Sequence, residues 1–281
     1  MKKAWLLYDT LDAQKNKHYI PLYFDAFRDK QVELEVIYTE RLNFGIKNMQ
    51  FFLEYDEKPI NPPNFVISRV ISLSLTQHLE YCGVKVYNNH TTAQICNDKQ
   101  KTYEYICNAG IQIMDSYFIH KIVPTGSCKF NYPVVVKSTT GRGGTEVFLA
   151  ANHESFTFAM NELKEKSVVV QKLASDVGKD LRVYVVGKTI IAAILRESTT
   201  DFRSNYGLGG KATVYILNEE EIALVNKIIN LFDFAMVGVD FIFDQGKLIF
   251  NEIEDVVGSR MLYANTEINI VSHYVNWILH Q

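Results

Sequence analysis

Apolar residues fall into short, β-rich runs in the N-terminal third of the chain, at positions 4–8, 32–38, 65–68 and 84–87. Between them lie stretches such as 72–82, whose apolar positions repeat at helical spacing. Alternation of this kind predicts a small parallel α/β unit that ends near Asn89. Asn97 and Asp98 then supply a cap for a helix over 99–108, which Gly110 ends. Beyond it the pattern changes to short strands at 134–137, 168–171, 182–186 and 189–196, with Gly187-Lys188 as a two-residue turn between the last two. Two later helices are readable. Asn218 and Glu221 form a box-like cap before a stripe of Ile222, Val225, Ile229 and Phe232, and a C-terminal stripe comprises Val271, Tyr274, Val275 and Ile278. Both stripes read as core contacts. The chain has no internal repeat and no low-complexity linker.

One segment breaks the apolar pattern. The sequence VGVDFIFDQGKLIFNEIE, residues 237–254, sets Asp240, Glu252 and Glu254 into strands that are otherwise almost wholly apolar. A three-residue turn at Asp244-Gln245-Gly246, with the glycine left-handed, pairs Phe243 with Lys247 and sets Asp240 opposite Phe250. The three acids then share one face. A lone buried carboxylate protonates, whereas a cluster around divalent cations is neutralised. Donors that are all oxygen favour magnesium or manganese over zinc. The alternative is a solvated outer face of an edge hairpin.

Composition narrows the function classes. With 281 residues, 47% of them hydrophobic and 22% charged, the chain has the length and core of a globular protein of two or three small domains. A net charge of -3 without a lysine or arginine block argues against a nucleic-acid surface. No apolar segment is long enough to span a membrane. The start, MKKAWLLYDT, is interrupted by Asp9 too early for a secretory signal, which points to the cytoplasm. Cys82, Cys96, Cys107 and Cys128 lack metal or redox spacing and read as reduced, mostly buried thiols. The seven histidines, His18 among them, also lack metal spacing.

Four further groups carry candidate chemistry. Lys137 ends an apolar strand and precedes a loop containing Gly141, Arg142, Gly143 and Gly144. This arrangement sets a cation and free backbone N–H groups around a polyphosphate or, alternatively, serves a tight hairpin turn. In GKDLR, Asp180 and Arg182 share a strand face, suited to a ribose hydroxyl and a phosphate or else to a surface salt bridge. Arg203, Ser204 and Asn205, followed by Gly207, Gly209 and Gly210, read as a site loop or a polar connection. Arg69 follows a strand of the first unit, where open α/β sheets present ligands, and suits a substrate carboxylate.

Taken in order, NDKQKTYEYICNAGI, YPVVVKSTTGRGG, GKDLRVYVVGKTIIAAILRE with DFRSNYGLGGKA, and the pair GVDFIF and IFNEIE resemble the ATP-grasp superfamily, most closely its RimK-like branch of carboxylate-amine (glutamate) ligases. The resemblance implies an α/β class of α+β ATP-grasp type. A small N-terminal parallel α/β domain (1–94) would be followed by two α+β subdomains gripping ATP, a central one with the phosphate loop (95–170) and a C-terminal one with the metal site (171–281). Carried over by position, Lys99 and Lys137 contact ATP phosphates together with Gly141, Arg142, Gly143 and Gly144. Gln171, Lys172 and Leu173 form the hinge that meets adenine, and Asp180 holds the ribose. Arg203, Ser204 and Asn205 line the phosphate and acyl site, with Arg182 at the reacting phosphoryl group. Arg69, Gly209 and Gly210 face substrate, and Asp240, Glu252 and Glu254 hold magnesium or manganese, two ions in all. Three departures stand out: Glu254 where the family usually has asparagine, DVVGSRML in place of the usual small-Pro-Gly turn, and Glu146 for a common glycine.

The activity implied is formation of an amide through an acyl phosphate. The partners would be ATP, a peptide or small-metabolite carboxylate and an amino acid such as glutamate, with neither nucleic acid nor membrane involved; a homo-oligomer is compatible. The rivals are a kinase on the same fold and a nucleotide-binding module without turnover.

Overall fold

The computed structural model describes residues 1–120, 127–198, 202 and 211–281. The fold is mixed α/β, with one parallel sheet at the N-terminus and antiparallel sheets after it. The parallel sheet has the order Val32–Tyr38, Lys2–Tyr8, Phe65–Ser68, Lys85–Tyr87. Side chains alternate across it, and both faces are covered. Ala4, Leu6 and Tyr8 pack with the helices Ile20–Phe27 and Ile270–Leu279, while Trp5 and Leu7 pack with the helix Leu73–Tyr81. The C-terminal stripe of Val271, Tyr274, Val275 and Ile278 is therefore core, as expected, but the core it fills belongs to the first sheet.

A three-stranded antiparallel meander, Leu42–Lys47, Gln50–Tyr55 and Lys58–Pro59, stands beside this sheet and was not foreseen. Its first turn is Asn48-Met49, with both residues at positive φ (51° and 60°). That turn lacks the Asn-Gly signature by which such hairpins are usually recognised.

Among the described residues, two further antiparallel sheets follow. One has the order Val147–Ala150, Val134–Ser138, Val168–Lys172, Ser116–Ile119; the other runs Lys211–Tyr215, Thr189–Glu197, Lys179–Val186, Met236–Asp244, Lys247–Glu254. The helix Lys99–Asn108, capped by the Asp98 side chain, buries Tyr103 and Ile106 against the second of these. The helix Glu219–Ile229 begins with the expected box, in which Asn218 and Glu221 cap each other's backbone. Its core face holds Val225, Ile228 and Ile229, with Phe232 just beyond; Ile222, in the first turn, stays exposed, contrary to the expected stripe.

The acidic hairpin differs from expectation in its turn. Gln245 and Gly246 both take positive φ (52° and 74°), so the turn has two residues and Asp244 pairs with Lys247. Phe241 then faces Phe250, and Asn251 bulges out of the ladder so that Asp240 faces Glu252. The turn and the bulge each shift the register by one, and the acids still gather on one face. Of the cysteines only Cys96 is buried; Cys107 is exposed and the other two are half-buried, and all four are free. The expectation of mostly buried thiols fails because Cys107 lies on the outer side of its helix.

Two contacts fix the start of the hairpin, one of them to the end of the parallel sheet. Buried Asn88 donates to the carbonyls of Met236 (3.2 Å) and Asp255 (2.7 Å) and accepts from the Ala235 N–H (2.7 Å). Gly187, in the expected two-residue turn, donates to the Ala235 carbonyl at 2.7 Å and lies under Trp277. A Cβ on Gly187 would meet the indole Nε1 at 2.1 Å, and its φ is +57°. We expect Gly187→Ala to cost about 2–4 kcal/mol from overpacking and backbone strain, read as a lower urea midpoint with an unchanged slope.

Candidate active site

One cleft gathers most of the residues singled out in the sequence. Its walls come from the strand Val134–Ser138 that carries Lys137, the glycine loop after it, the segment 171–180 and the final acidic strand. Lys99, Lys137, Gly141, Arg142, Gly143, Gly144, Gln171, Lys172, Leu173, Asp180, Glu252 and Glu254 all line it.

Lys137 is the most constrained cation. Buried in the cleft floor, its Nζ donates to Tyr103 Oη (2.7 Å), Gln171 Oε1 (3.1 Å) and Asn251 Oδ1 (3.2 Å). None of these partners carries a formal charge. Burial therefore pulls the ammonium down to about 8, with Glu252 opposing. Lys99 differs, because its Nζ donates to the Gly141 carbonyl (2.6 Å) and lies 3.3 Å from Glu252.

The three acids Asp240, Glu252 and Glu254 offer oxygen atoms within 4.8 Å of one another. Asp240 is 1% exposed and is gripped twice. Arg182 meets it as a fork (Nε–Oδ1 2.8 Å, Nη2–Oδ2 2.7 Å), and Arg196 Nη2 reaches Oδ2 at 2.8 Å. Burial alone would raise the Asp240 carboxyl, but the two guanidiniums outweigh it and hold the group near 2. Arg196 also meets Asp180 Oδ2 at 2.7 Å, and Arg182 lies 2.8 Å from Glu254. Asp180 and Arg182 share a face as expected, yet each pairs across the sheet with another residue, and both are buried. The surface salt bridge alternative is overturned by that burial, and the acids do not form a solvated outer face, since Glu252 and Glu254 line the cleft with Asp240 buried beside them. Glu254, the acid at the family's usual asparagine, has its extra charge met by Arg182. Glu252 is held below the usual carboxylate range: burial opposes this, and Lys99 and then Lys137 outweigh it. A set of carboxylate oxygens of this density fits a hard divalent cation.

The glycine loop is fixed at several points. A Cβ on Gly141 would lie 2.7 Å from Glu146 Oε2, and Gly143 and Gly144 take positive φ (65° and 74°). Glu146, the departure at the loop's end, pairs with Lys166, which holds its carboxyl low. Arg142 lies 3.6 Å from Asp255, a buried acid raised by that burial.

Some expected residues stand elsewhere. Arg69 is outside the cleft lining; its Nη2 donates to the Val257 carbonyl (2.7 Å), three residues past Glu254, and Tyr8 and Tyr23 are beside it. The Lys172 ammonium turns to Asp115 (2.7 Å). Arg182, expected at a phosphoryl group, is occupied by Asp240 and Glu254. Arg203, Ser204, Asn205, Gly209 and Gly210 lie outside the described residues. Tyr103, Arg196 and Asn251 were missed. Arg196 carried a partial signal, since the expected Gly187-Lys188 turn brings its strand alongside that of Asp180, which it faces, but the bulge that aims Asn251 at Lys137 had none.

Residues 96–278 match the RimK-like ATP-grasp domain. The uncharacterized protein MG012 of Mycoplasma genitalium is 32% identical over 161 residues, a stretch covering 56% of this chain and 55% of that protein. The chain thus spans about half of MG012. N-acetylaspartylglutamate synthase A of Mus musculus is 26% identical over 281 residues, covering 91% of this chain and 73% of that protein. Among solved structures, a Chryseobacterium gregarium RiPP-associated ATP-grasp ligase in complex with ADP and a leader and core peptide superposes with a TM-score of 0.73. Its identity is 16%, with 100% of this chain and 97% of that one covered, a likeness of fold. Among the described residues no helix is long and apolar enough to cross a membrane. With the two cleft lysines, the glycine loop and the acidic strand pair falling in the matched span, the chain belongs to the RimK-like ATP-grasp family.

Proposed function

We propose that the chain is an ATP-dependent carboxylate-amine ligase. The observation that carries this reading is the convergence of Lys99, Lys137, the glycine loop, Glu252 and Glu254 on one cleft, with buried Asp240 within 4.8 Å of the two glutamates. In this reading ATP lies with its phosphates between Lys99, Lys137 and the backbone of Gly141–Gly144. Its adenine sits along Gln171–Leu173 and its ribose near Asp180. Asp240, Glu252 and Glu254 would hold magnesium or manganese, two ions in all. Bound there, the metal offsets charge on the phosphate oxygens. Arg182, tied to two of these acids, acts as a positioning residue, and Arg203, Ser204 and Asn205 complete the phosphate and acyl site.

The chemistry follows from charge and exclusion of water. A substrate carboxylate oxygen bonds to the γ-phosphorus as the bond to ADP breaks. The amine nitrogen then bonds to the acyl carbon, phosphate leaves with the C–O electron pair, and the amine's proton passes to solvent. The lysines offset the negative charge of the first step, and a covering glycine loop keeps water from the acyl phosphate. Arg69 has no carboxylate partner among the described residues and lies just past the acidic strand, which suits it to the substrate carboxylate. Glutamate is the first amine to test, because the synthase noted above makes a glutamate-containing product by name.

The test is ADP release across a matrix of carboxylates and amino acids, with product mass. Release that needs both substrates and yields an amide is expected. A stable phosphorylated product formed without amine would instead identify a kinase. Glu252→Gln should lower turnover at least a hundredfold and weaken metal-dependent nucleotide binding. It is a cleaner probe than Asp240→Asn, which would leave two buried guanidiniums facing a neutral amide.

Lys137 makes nucleotide binding sensitive to pH. With the free ammonium near 8 and phosphates raising it, the bound state holds more protons, so affinity falls as pH rises above about 8. Calorimetry at pH 8.5 in buffers of different ionisation enthalpy should register uptake of most of one proton, and Lys137→Arg should abolish that uptake. For Arg69→Met we expect KM for the carboxylate to rise at least tenfold while ATP affinity stays unchanged. Equal loss of both would remove Arg69 from the substrate site.

A further inference from the structure

The meander beside the parallel sheet has a free edge, and its hydrogen-bonding alternation says which groups face out. The Arg41 carbonyl accepts from the Asp56 N–H at 3.0 Å, and the ladder pairs Leu42 with Tyr55 through to Lys47 with Gln50. In an antiparallel ladder bonded and non-bonded pairs alternate. Asn43, Gly45 and Lys47 therefore turn their backbone groups inward. Those of Phe44 and Ile46 point away from the sheet, as do those of Leu42, whose N–H turns back to the Thr39 carbonyl, and among the described residues no partner strand covers them.

Protective devices are few on this edge, with Lys47 at its end the one charge. Between Leu42 and Ile46 it carries no charge and no proline, the features that usually block strand addition. The same stretch is apolar on one face: Ile46 is 67% exposed, and beside it lie Met49 at 95%, Tyr81 at 61%, Phe51 at 43% and Phe44 at 36%.

We propose that this edge joins two copies of the chain, strand Leu42–Lys47 against its own counterpart, about a two-fold axis through Gly45. The register is self-consistent. Centred on Gly45, it sets Phe44 opposite Ile46 of the partner subunit, and both are residues whose N–H and C=O point outward, so four backbone hydrogen bonds form. Gly45 faces its own copy in the non-bonded pair, where strands approach most closely. No Cβ stands in the way there, and the Phe52 ring already covers the glycine, 2.9 Å from where a Cβ would be. The strand's one charge, Lys47, comes opposite an asparagine, so no like charges meet. The apolar pair of Phe44 and Ile46 repeats on both sides of the axis, on the face where Phe44 packs against His78. An isologous patch of this kind closes as a dimer and does not propagate.

Sedimentation across a dilution series checks the proposal without reference to any activity. A dimer is expected at micromolar concentration. Ile46→Lys adds a charge at an exposed position, and Ile46→Pro removes an outward N–H while sparing the ladder to Gln50–Tyr55. Both should give monomers with unchanged circular dichroism. In the wild type, hydrogen exchange at the Phe44 and Ile46 amides should slow as the dimer forms and quicken on dilution, a readout that does not depend on either variant folding. A wild type that stays monomeric to about 100 μM, a dimer that survives the folded Ile46→Lys variant, or rapid exchange at both amides in the dimer would each overturn the proposal.

Discussion

Asp240 sits in the interior with both its oxygens bonded to guanidiniums, and the cleft takes its shape from that arrangement. A carboxylate so deeply placed is unstable alone, and two arginines so deeply placed are worse. Each is tolerable because the others are there. Arg182 comes from the neighbouring strand and Arg196 from the one beyond it, so the salt bridges run across three strands of one sheet. Their outer ends continue to Glu254 and Asp180, which face the cleft. The charges that meet solvent are thus held in place by charges that do not.

This network explains how a third acid stands where a neutral amide is usual. Glu254 adds a negative charge to an already acidic surface, and Arg182 supplies the compensation at 2.8 Å. Lys99 does the same for Glu252 on the opposite flank. Lys137 is treated differently: its hydrogen-bond partners are a phenol and two amides, and among the described residues no carboxylate forms an ion pair with it. The floor of the cleft is therefore electrically asymmetric, with paired acids on one side and a cation lacking a carboxylate partner on the other.

Much of the fold was readable. Alternating apolar runs gave the parallel sheet, and the caps at Asp98 and Asn218 located two helices to within a residue or two. The acids at Asp240, Glu252 and Glu254 were found because a carboxylate in an apolar strand is an anomaly at the level of single residues. Tertiary detail was not readable in the same way. The turn at Gln245-Gly246 and the bulge at Asn251 are decided by local backbone geometry, and the sequence alone allowed a three-residue turn equally well. Arg196 was overlooked because a register shift in its hairpin brings it opposite Asp180, and its other partner, Asp240, lies on a strand distant in sequence. The meander escaped notice because its turn lacks a glycine, and Ile222 was placed inside because periodicity does not say where a helix outruns the surface it covers.

Asn88 has a consequence for how this molecule could change over evolutionary time. Its side chain ties the end of the parallel sheet to the start of one acidic strand and to the residue just after the other. The first sheet and the cleft are consequently not interchangeable parts. A chimera that grafted a foreign amino-terminal half onto this cleft would inherit three backbone groups with nothing to answer them, at the very point from which the acids are aimed.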